Sequence, residues 1–188
     1  MSIQATFPRK CRLGDFLMSQ AEFQPLNIAV LTVSDTRDLD SDRSGQTLAE
    51  RIKASGHRLA ERLVVPDCRY RIRAELSRWI ADEAVQAVIT TGGTGVTGRD
   101  ITPEAVRPLL DLEVEGFGEM FRWLSLQEIR TSTVQSRALG GIANATLIFV
   151  LPGSTGACRT AWDGILKDQL DARHKPCNFV TLMPRMRE

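Results

Sequence analysis

Apolar residues follow two spacings along this chain. Leu26-Asn27-Ile28-Ala29-Val30-Leu31-Thr32-Val33-Ser34 is a nearly unbroken aliphatic and β-branched run, the pattern of a strand buried on both faces. Leu59 to Val65, closed by Pro66-Asp67, Val85 to Thr91 and the buried run Thr146 to Leu151 read as further strands. The segments between them carry helical stripes. Leu48 and Ile52 precede the stop signal Gly56, and Ile72, Leu76, Trp79 and Ile80 fall on one face of a helix. Phe117, Met120, Phe121 and Leu124 mark a helix from Glu113 to about Leu126. Ala161, Trp162, Ile165 and Leu170 mark another from about Ala157 to Leu170. Thr102-Pro103-Glu104 reads as a helix start, with Thr as cap and Pro in the first turn. Strands that alternate with helices predict an α/β fold with a largely parallel sheet and helices on both sides.

The pattern is absent at the ends. Residues 1–24 mix Phe7, Pro8, Arg9, Lys10 and Arg12 without a period and are expected to form a flexible N-terminal extension. Met18, followed by Ser-Gln-Ala-Glu, would serve as an alternative start, with 1–17 outside the native chain. The expected domain is 25–180, with 181–188 a C-terminal tail.

Composition narrows the function classes. At 188 residues, 43% hydrophobic, one domain can bury a core without disulfides or metal. A net charge of +1 argues against nucleic-acid and polybasic membrane binding, which rest on a positive field. Cys11, Cys68, Cys158 and Cys177 form no C-x-x-C pair and, with no signal peptide, read as free thiols in a reducing cytoplasm. No apolar run approaches a membrane span.

In an open parallel sheet, ligands bind beyond the carboxyl ends of the strands. The predicted strands end in Ser34-Asp35, Pro66-Asp67, Thr91-Gly92-Gly93-Thr94-Gly95 followed by Asp100, and Pro152-Gly153-Ser154. Each set alone is most simply a turn. Four on one rim point to a ligand. Glycines let backbone N–H groups converge on an anion where a Cβ would obstruct them. Gly93-x-Gly95-x-x-Gly98 matches the dinucleotide string, which would imply NAD(P). It follows the third strand rather than the first, however, and its helix begins only after Gly98. Gly93 and Gly98 also have Walker-A spacing, but Arg99 and Asp100 replace Lys and Ser/Thr. A carboxylate beside phosphates needs a cation, which points to Mg²⁺ on Asp100, with Asp67 as a second ligand. Pro152-Gly153-Ser154 offers further N–H groups to a phosphate, or an ordinary helix cap.

Other residues read as structural. His57 and His174, the only histidines, promote neither a His-rich metal site nor a triad. Cys158 reads as a core thiol, Arg69, Arg71, Arg73 and Arg78 as a solvated face, and Trp79, Trp123 and Trp162 as core or interface.

The ordered series of motifs resembles the molybdenum cofactor biosynthesis proteins of the molybdopterin-binding fold, over about residues 26–180. Its marks are Leu31-Thr32-Val33-Ser34-Asp35, Asp42-Arg43-Ser44-Gly45, Val65-Pro66-Asp67, Thr91-Gly92-Gly93-Thr94-Gly95 and Arg99-Asp100-Ile101-Thr102-Pro103-Glu104. Gly116-Phe117-Gly118-Glu119, Ser136-Arg137 and Pro152-Gly153-Ser154 complete it. The resemblance implies a three-layer α/β/α sandwich, assembled as a homotrimer or homohexamer, with other proteins of the same pathway as partners. It implies molybdopterin and Mg-ATP as substrates of an adenylyl transfer. By motif, Asp67 and Asp100 would organise Mg²⁺ and the reacting phosphates. The backbone of Gly92 to Gly95 and Gly153-Ser154 would cradle anions, Thr91 would belong to the same binding segment, and Ser34, Asp35 and Ser136 would line the pocket. Two departures, Thr155 and Glu115 where active transferases commonly carry Pro, align the chain with the protein B branch. The alternative there is a carrier that binds molybdopterin or a precursor without turnover.

Overall fold

The computed structural model describes residues 21–187. Its strands are β1 (Asn27–Val33), β2 (Arg58–Val65), β3 (Ala87–Thr91), β4 (Leu112–Glu113), β5 (Leu139–Ala143) and β6 (Thr146–Leu151). They form one sheet in the order β2-β1-β3-β6-β5-β4. β2, β1, β3 and β6 run parallel, whereas β5 and β4 pair antiparallel at one edge. The helices are α1 (Arg43–Ala54), α2 (Arg69–Ala81), α3 (Thr102–Val106), α4 (Glu115–Ile129) and α5 (Thr155–Ala161). A π-helical turn, Trp162–Leu166, carries α5 into α6 (Lys167–Gln169).

The side-chain alternation of the strands creates the three layers. Ile28 and Val30 of β1, Ile89 of β3, and Leu147, Phe149 and Leu151 of β6 pack against α1, α4, α5 and the π turn. There they meet Leu48, Ile52, Phe117, Phe121, Ala161 and Trp162. Ala29, Leu31 and Val33, with Val88, Ile148 and Val150, face the other way and meet Ile72, Leu76 and Trp79 of α2 and Val106 of α3. Burying each such aliphatic side chain contributes about 1.5–3 kcal/mol, which commits β1 and β6 to the centre. The α/β/α sandwich expected from the motifs is the observed fold.

The antiparallel edge is where the sequence pattern falls silent. β5 reads Leu-Gly-Gly-Ile-Ala, weak in strand propensity. Its glycines answer to tertiary neighbours: a Cβ on Gly140 would lie 2.9 Å from the Phe117 Cβ, and one on Gly141 would lie 2.7 Å from the Leu112 carbonyl oxygen.

Several expectations change. Thr102 does not cap α3; its hydroxyl donates to the Gly92 carbonyl at 2.8 Å. Trp79 and Trp162 are core, whereas Trp123 is 60% exposed, which leaves it the interface alternative. Arg73 leaves the solvated arginine face, because its half-buried guanidinium donates to the carbonyls of Glu104 (3.0 Å) and Ala105 (3.1 Å). Val180–Arg185 forms a 3₁₀ turn, and Met183 and Met186 pack on the core, so the segment from 181 joins the domain body. Of the expected extension, 1–20 lies outside the described residues. Phe23 is described and stacks on His57 at 5.0 Å.

Candidate functional site

The chain leaves β1 through α1 to β2 on one side, then returns through α2 to β3 on the other. The connections diverge at the carboxyl ends of β1 and β3, which opens a crevice there. That crevice is a cleft of about 610 Å³. Ser34, Asp35, Asp67, Gly92, Gly93, Thr94, Gly95, Asp100, Ser136, Gly153 and Ser154 all line it, so all but one of the residues singled out in the sequence converge. Thr91 is the exception. It is fully buried beneath the cleft, donating to the Pro152 carbonyl at 2.9 Å and lying 3.4 Å from the Cys158 sulfur.

The floor is the glycine turn. Gly92 and Gly93 have φ of +108° and +63°, and a Cβ on Gly92 would lie 2.2 Å from the Val33 carbonyl oxygen. Thr102 holds the turn from below through Gly92 O and through its own N–H to Gly93 O at 3.0 Å. Among the described residues, no protein acceptor takes the N–H groups of Gly93 and Thr94. They are donors available to an anion.

One wall comes from β1. Buried Asp42 caps α1, accepting from Gly45 N (2.9 Å), Ser44 Oγ (3.0 Å) and Thr32 Oγ1 (2.7 Å). This ties α1 to β1 and sets Ser44 beside Arg37. The Arg37 guanidinium donates to Ser44 Oγ and to Gly153 O, each at 3.2 Å, and so bridges to the loop after β6. Asp35 accepts from the Asp67 N–H at 3.0 Å and pairs with Arg99, which joins three strand ends. In the loop after β6, the Ser154 hydroxyl caps α5 by accepting from Ala157 N at 3.1 Å.

The carboxylates differ in environment. Burial, and then the charge of Asp100, raise the Asp67 pKa above its ordinary value. Burial opposes charge on Asp100 as well. There the Thr97 hydroxyl and N–H (2.6 and 2.9 Å), a backbone N–H at Gly95 and the charge of Arg137 outweigh it and lower the pKa. The cleft wall carries four carboxylates (Asp35, Asp67, Asp100, Glu128) and two guanidinium groups (Arg37, Arg99). A phosphate ligand in such a wall calls for a cation. Among the described residues, no group of three or more His, Cys, Asp or Glu forms a complete metal cage. Two carboxylates are the donor set that fits Mg²⁺, which keeps waters and phosphate oxygens as its other ligands.

A family model described as "Probable molybdopterin binding domain" matches residues 29–172. The chain is 56% identical over 164 residues to Molybdenum cofactor biosynthesis protein B of Escherichia coli, covering 86% of this chain and 96% of that protein. The chain belongs to the molybdenum cofactor biosynthesis family. Its fold is similar to a crystal structure of Molybdenum cofactor biosynthesis protein B, with TM-score 0.76 and 40% identity, covering 78% of this chain and 92% of that one. It is also similar to the tungsten cofactor synthesizing protein MoaB from Pyrococcus furiosus, with TM-score 0.72 and 32% identity, covering 88% and 99%.

The cleft of this molybdopterin-binding domain has a wall that its strand ends do not announce. Phe121, Ser125, Glu128 and Ile129 of α4, Ser132 and Gln135 after it, and Thr160 of α5 line it as well. No spacing rule links them to the strand ends. The signal for Ser125 was a polar residue on an otherwise apolar helical face, and it is buried.

Proposed function

We propose that this molybdenum cofactor biosynthesis protein binds molybdopterin in the cleft and adenylylates it with Mg-ATP. The observation that carries the reading is that Asp67 and Asp100 line the same cleft as a glycine turn whose Gly93 and Thr94 N–H groups meet no protein acceptor among the described residues. In the reaction, a terminal phosphate oxygen of molybdopterin forms a bond to the α-phosphorus of ATP. The bond from that phosphorus to the β-bridging oxygen breaks, and its electron pair leaves with pyrophosphate. Such transfers depend mainly on positioning and charge stabilisation. Asp67 and Asp100 would hold Mg²⁺, which supplies neutralisation of phosphate charge. Gly93 and Thr94 N–H groups would hold anionic oxygens. Arg37 and Arg99 would orient the phosphates as they move from neutral and Asp35 partners, and Ser34 and Ser136 would contact the polar rim of the pterin.

The same reading places the protein in the cytoplasm as a homotrimer or homohexamer, alongside other proteins of the pathway. Met120 and Trp123, exposed on α4, support self-association.

The test is incubation of purified protein with molybdopterin, ATP and Mg²⁺. Adenylylated molybdopterin and pyrophosphate are the expected products. Their absence, with molybdopterin binding retained, would establish the carrier reading, which Glu115 at the start of α4 and Thr155 at the start of α5 favour.

A further inference from the structure

The loop that carries Asp100 has no secondary structure of its own from Gly93 to Asp100, and its tip residue Val96 is exposed. A carboxylate expected to act at one point in a cleft therefore depends on something outside the loop. One residue touches both ends of it. Arg137, just before β5, donates from Nε to Gly95 O at 2.7 Å and from Nη2 to Asp100 O at 2.5 Å, and its own N–H donates to Thr94 O at 3.2 Å. Its Nη1 pairs with Glu104 of α3. The backbone of that helix is held in turn by Arg73, through the carbonyls of Glu104 and Ala105. Glu104 is thus a fixed post, and the planar fork of Arg137 ties the neck of the loop to it.

We propose that Arg137, braced by Glu104, is the positioning residue that closes the neck of loop 95–100 and aims Asp100 into the cleft. This rests on the proposed role of Asp100 toward a divalent cation. Three acceptors in three directions suit a guanidinium and not an ammonium, because the fork presents its donors in a fixed plane. Inside the closed neck, Asp100 Oδ2 accepts from both the N–H and hydroxyl of Thr97, and the Asp100 N–H donates to Thr97 O at 3.1 Å. Opening the neck lets this hairpin swing without disturbing β1 or β3. The arrangement also couples the site to the antiparallel edge, since neighbouring Ser136 lines the cleft.

The test uses the full chain with Mn²⁺ as the metal probe, read by electron paramagnetic resonance, and amide hydrogen exchange without substrate. In Arg137→Gln, Mn²⁺ affinity is expected to fall about tenfold, as for other residues that orient metal ligands. Exchange of the Thr97 and Asp100 amides is expected to rise about tenfold while β1 and β3 amides stay unchanged. Glu104→Gln should shift both readouts the same way by less, and Arg137→Lys should recover only part of the loss. The Arg137→Lys and Glu104→Gln variants decide the question if Arg137→Gln does not fold. Unchanged Mn²⁺ affinity overturns the proposal, as does wild-type protein that binds no Mn²⁺. A parallel rise in exchange of the β1 and β3 amides overturns it too, since that marks a merely structural role. Arg137-dependent Mn²⁺ binding in a protein that forms no adenylylated product sustains the positioning role and defeats only the transferase reading.

Discussion

The Asp67 N–H donates to the Asp35 carboxylate at 3.0 Å, so a side chain carries the joining of β1 and β2 past their last backbone bond, Ser34 N–H to Val65 O at 2.9 Å. The other Asp35 oxygen meets Arg99. Asp35→Asn keeps an acceptor for Asp67 but loses the charge partner of Arg99; Asp35→Ala loses both. Adenylyl transfer is expected to fall about tenfold in the Asn variant and further in the Ala variant. Chemical denaturation should show stability losses below about 1 kcal/mol, because the pair is solvent-facing. Equal activity in the two variants would remove the Asp67 contact from the account.

Asp67 bears a cost when no cation is bound. Its folded pKa is raised, so between the unfolded and folded values the native state holds more protons than the unfolded one. Stability therefore falls as pH rises through that window and does not recover above it. Asp67→Asn should raise the Tm of metal-free protein at neutral pH by about 1–3 °C while abolishing adenylyl transfer. Asp100→Asn should also leave the fold intact and greatly reduce transfer, because a neutral amide is a weaker Mg²⁺ ligand. Calorimetry with matched activity assays separates the two effects; near-wild-type turnover of either variant would sink its assigned role.

Adjacent threonines of β3 make opposite predictions. Thr91 Oγ1 donates to Pro152 O, but the buried Thr90 Oγ1 has no partner among the described residues. Thr90→Val should stabilise by about 1 kcal/mol, and Thr91→Val should destabilise by about 1–2 kcal/mol. Urea denaturation midpoints at constant slope decide this.

Two glycines of the same loop should differ as sharply. Gly92→Ala must relieve a 2.2 Å approach to Val33 O at positive φ, and a loss above about 3 kcal/mol is expected. Gly98 has nothing within 4 Å of an added Cβ, so Gly98→Ala should stay within about 0.5 kcal/mol of wild type.

If α4 packs against another copy, Trp123→Asp should shift the protein to monomers, since a carboxylate in an apolar interface is costly. Light scattering coupled to size exclusion would show an unchanged mass if the face is free.

The central strands and the carboxyl-end rim were legible in the residues. β1 and β6 are apolar at both parities, and a strand can only satisfy that with a helical layer on each face. Gly92, Gly93 and the carboxylates at strand ends stand out because backbone conformation and charge are local properties. The tertiary structure decided what depends on partners far along the chain. β5 is a strand because β6 and β4 pair with it, despite Gly140 and Gly141. Thr91 turned inward because strand parity and Pro152 claim its hydroxyl. Helical periodicity puts Phe121 and Trp123, two residues apart, on opposite faces of α4, but only the packing of that helix on the sheet decides that the face of Phe121 is the buried one. Arg137 stood out only as part of the Ser136-Arg137 family mark, with no sign of what it touches: its neighbours Gly95, Asp100 and Glu104 are 33 to 42 residues away, and such a convergence exists only after folding.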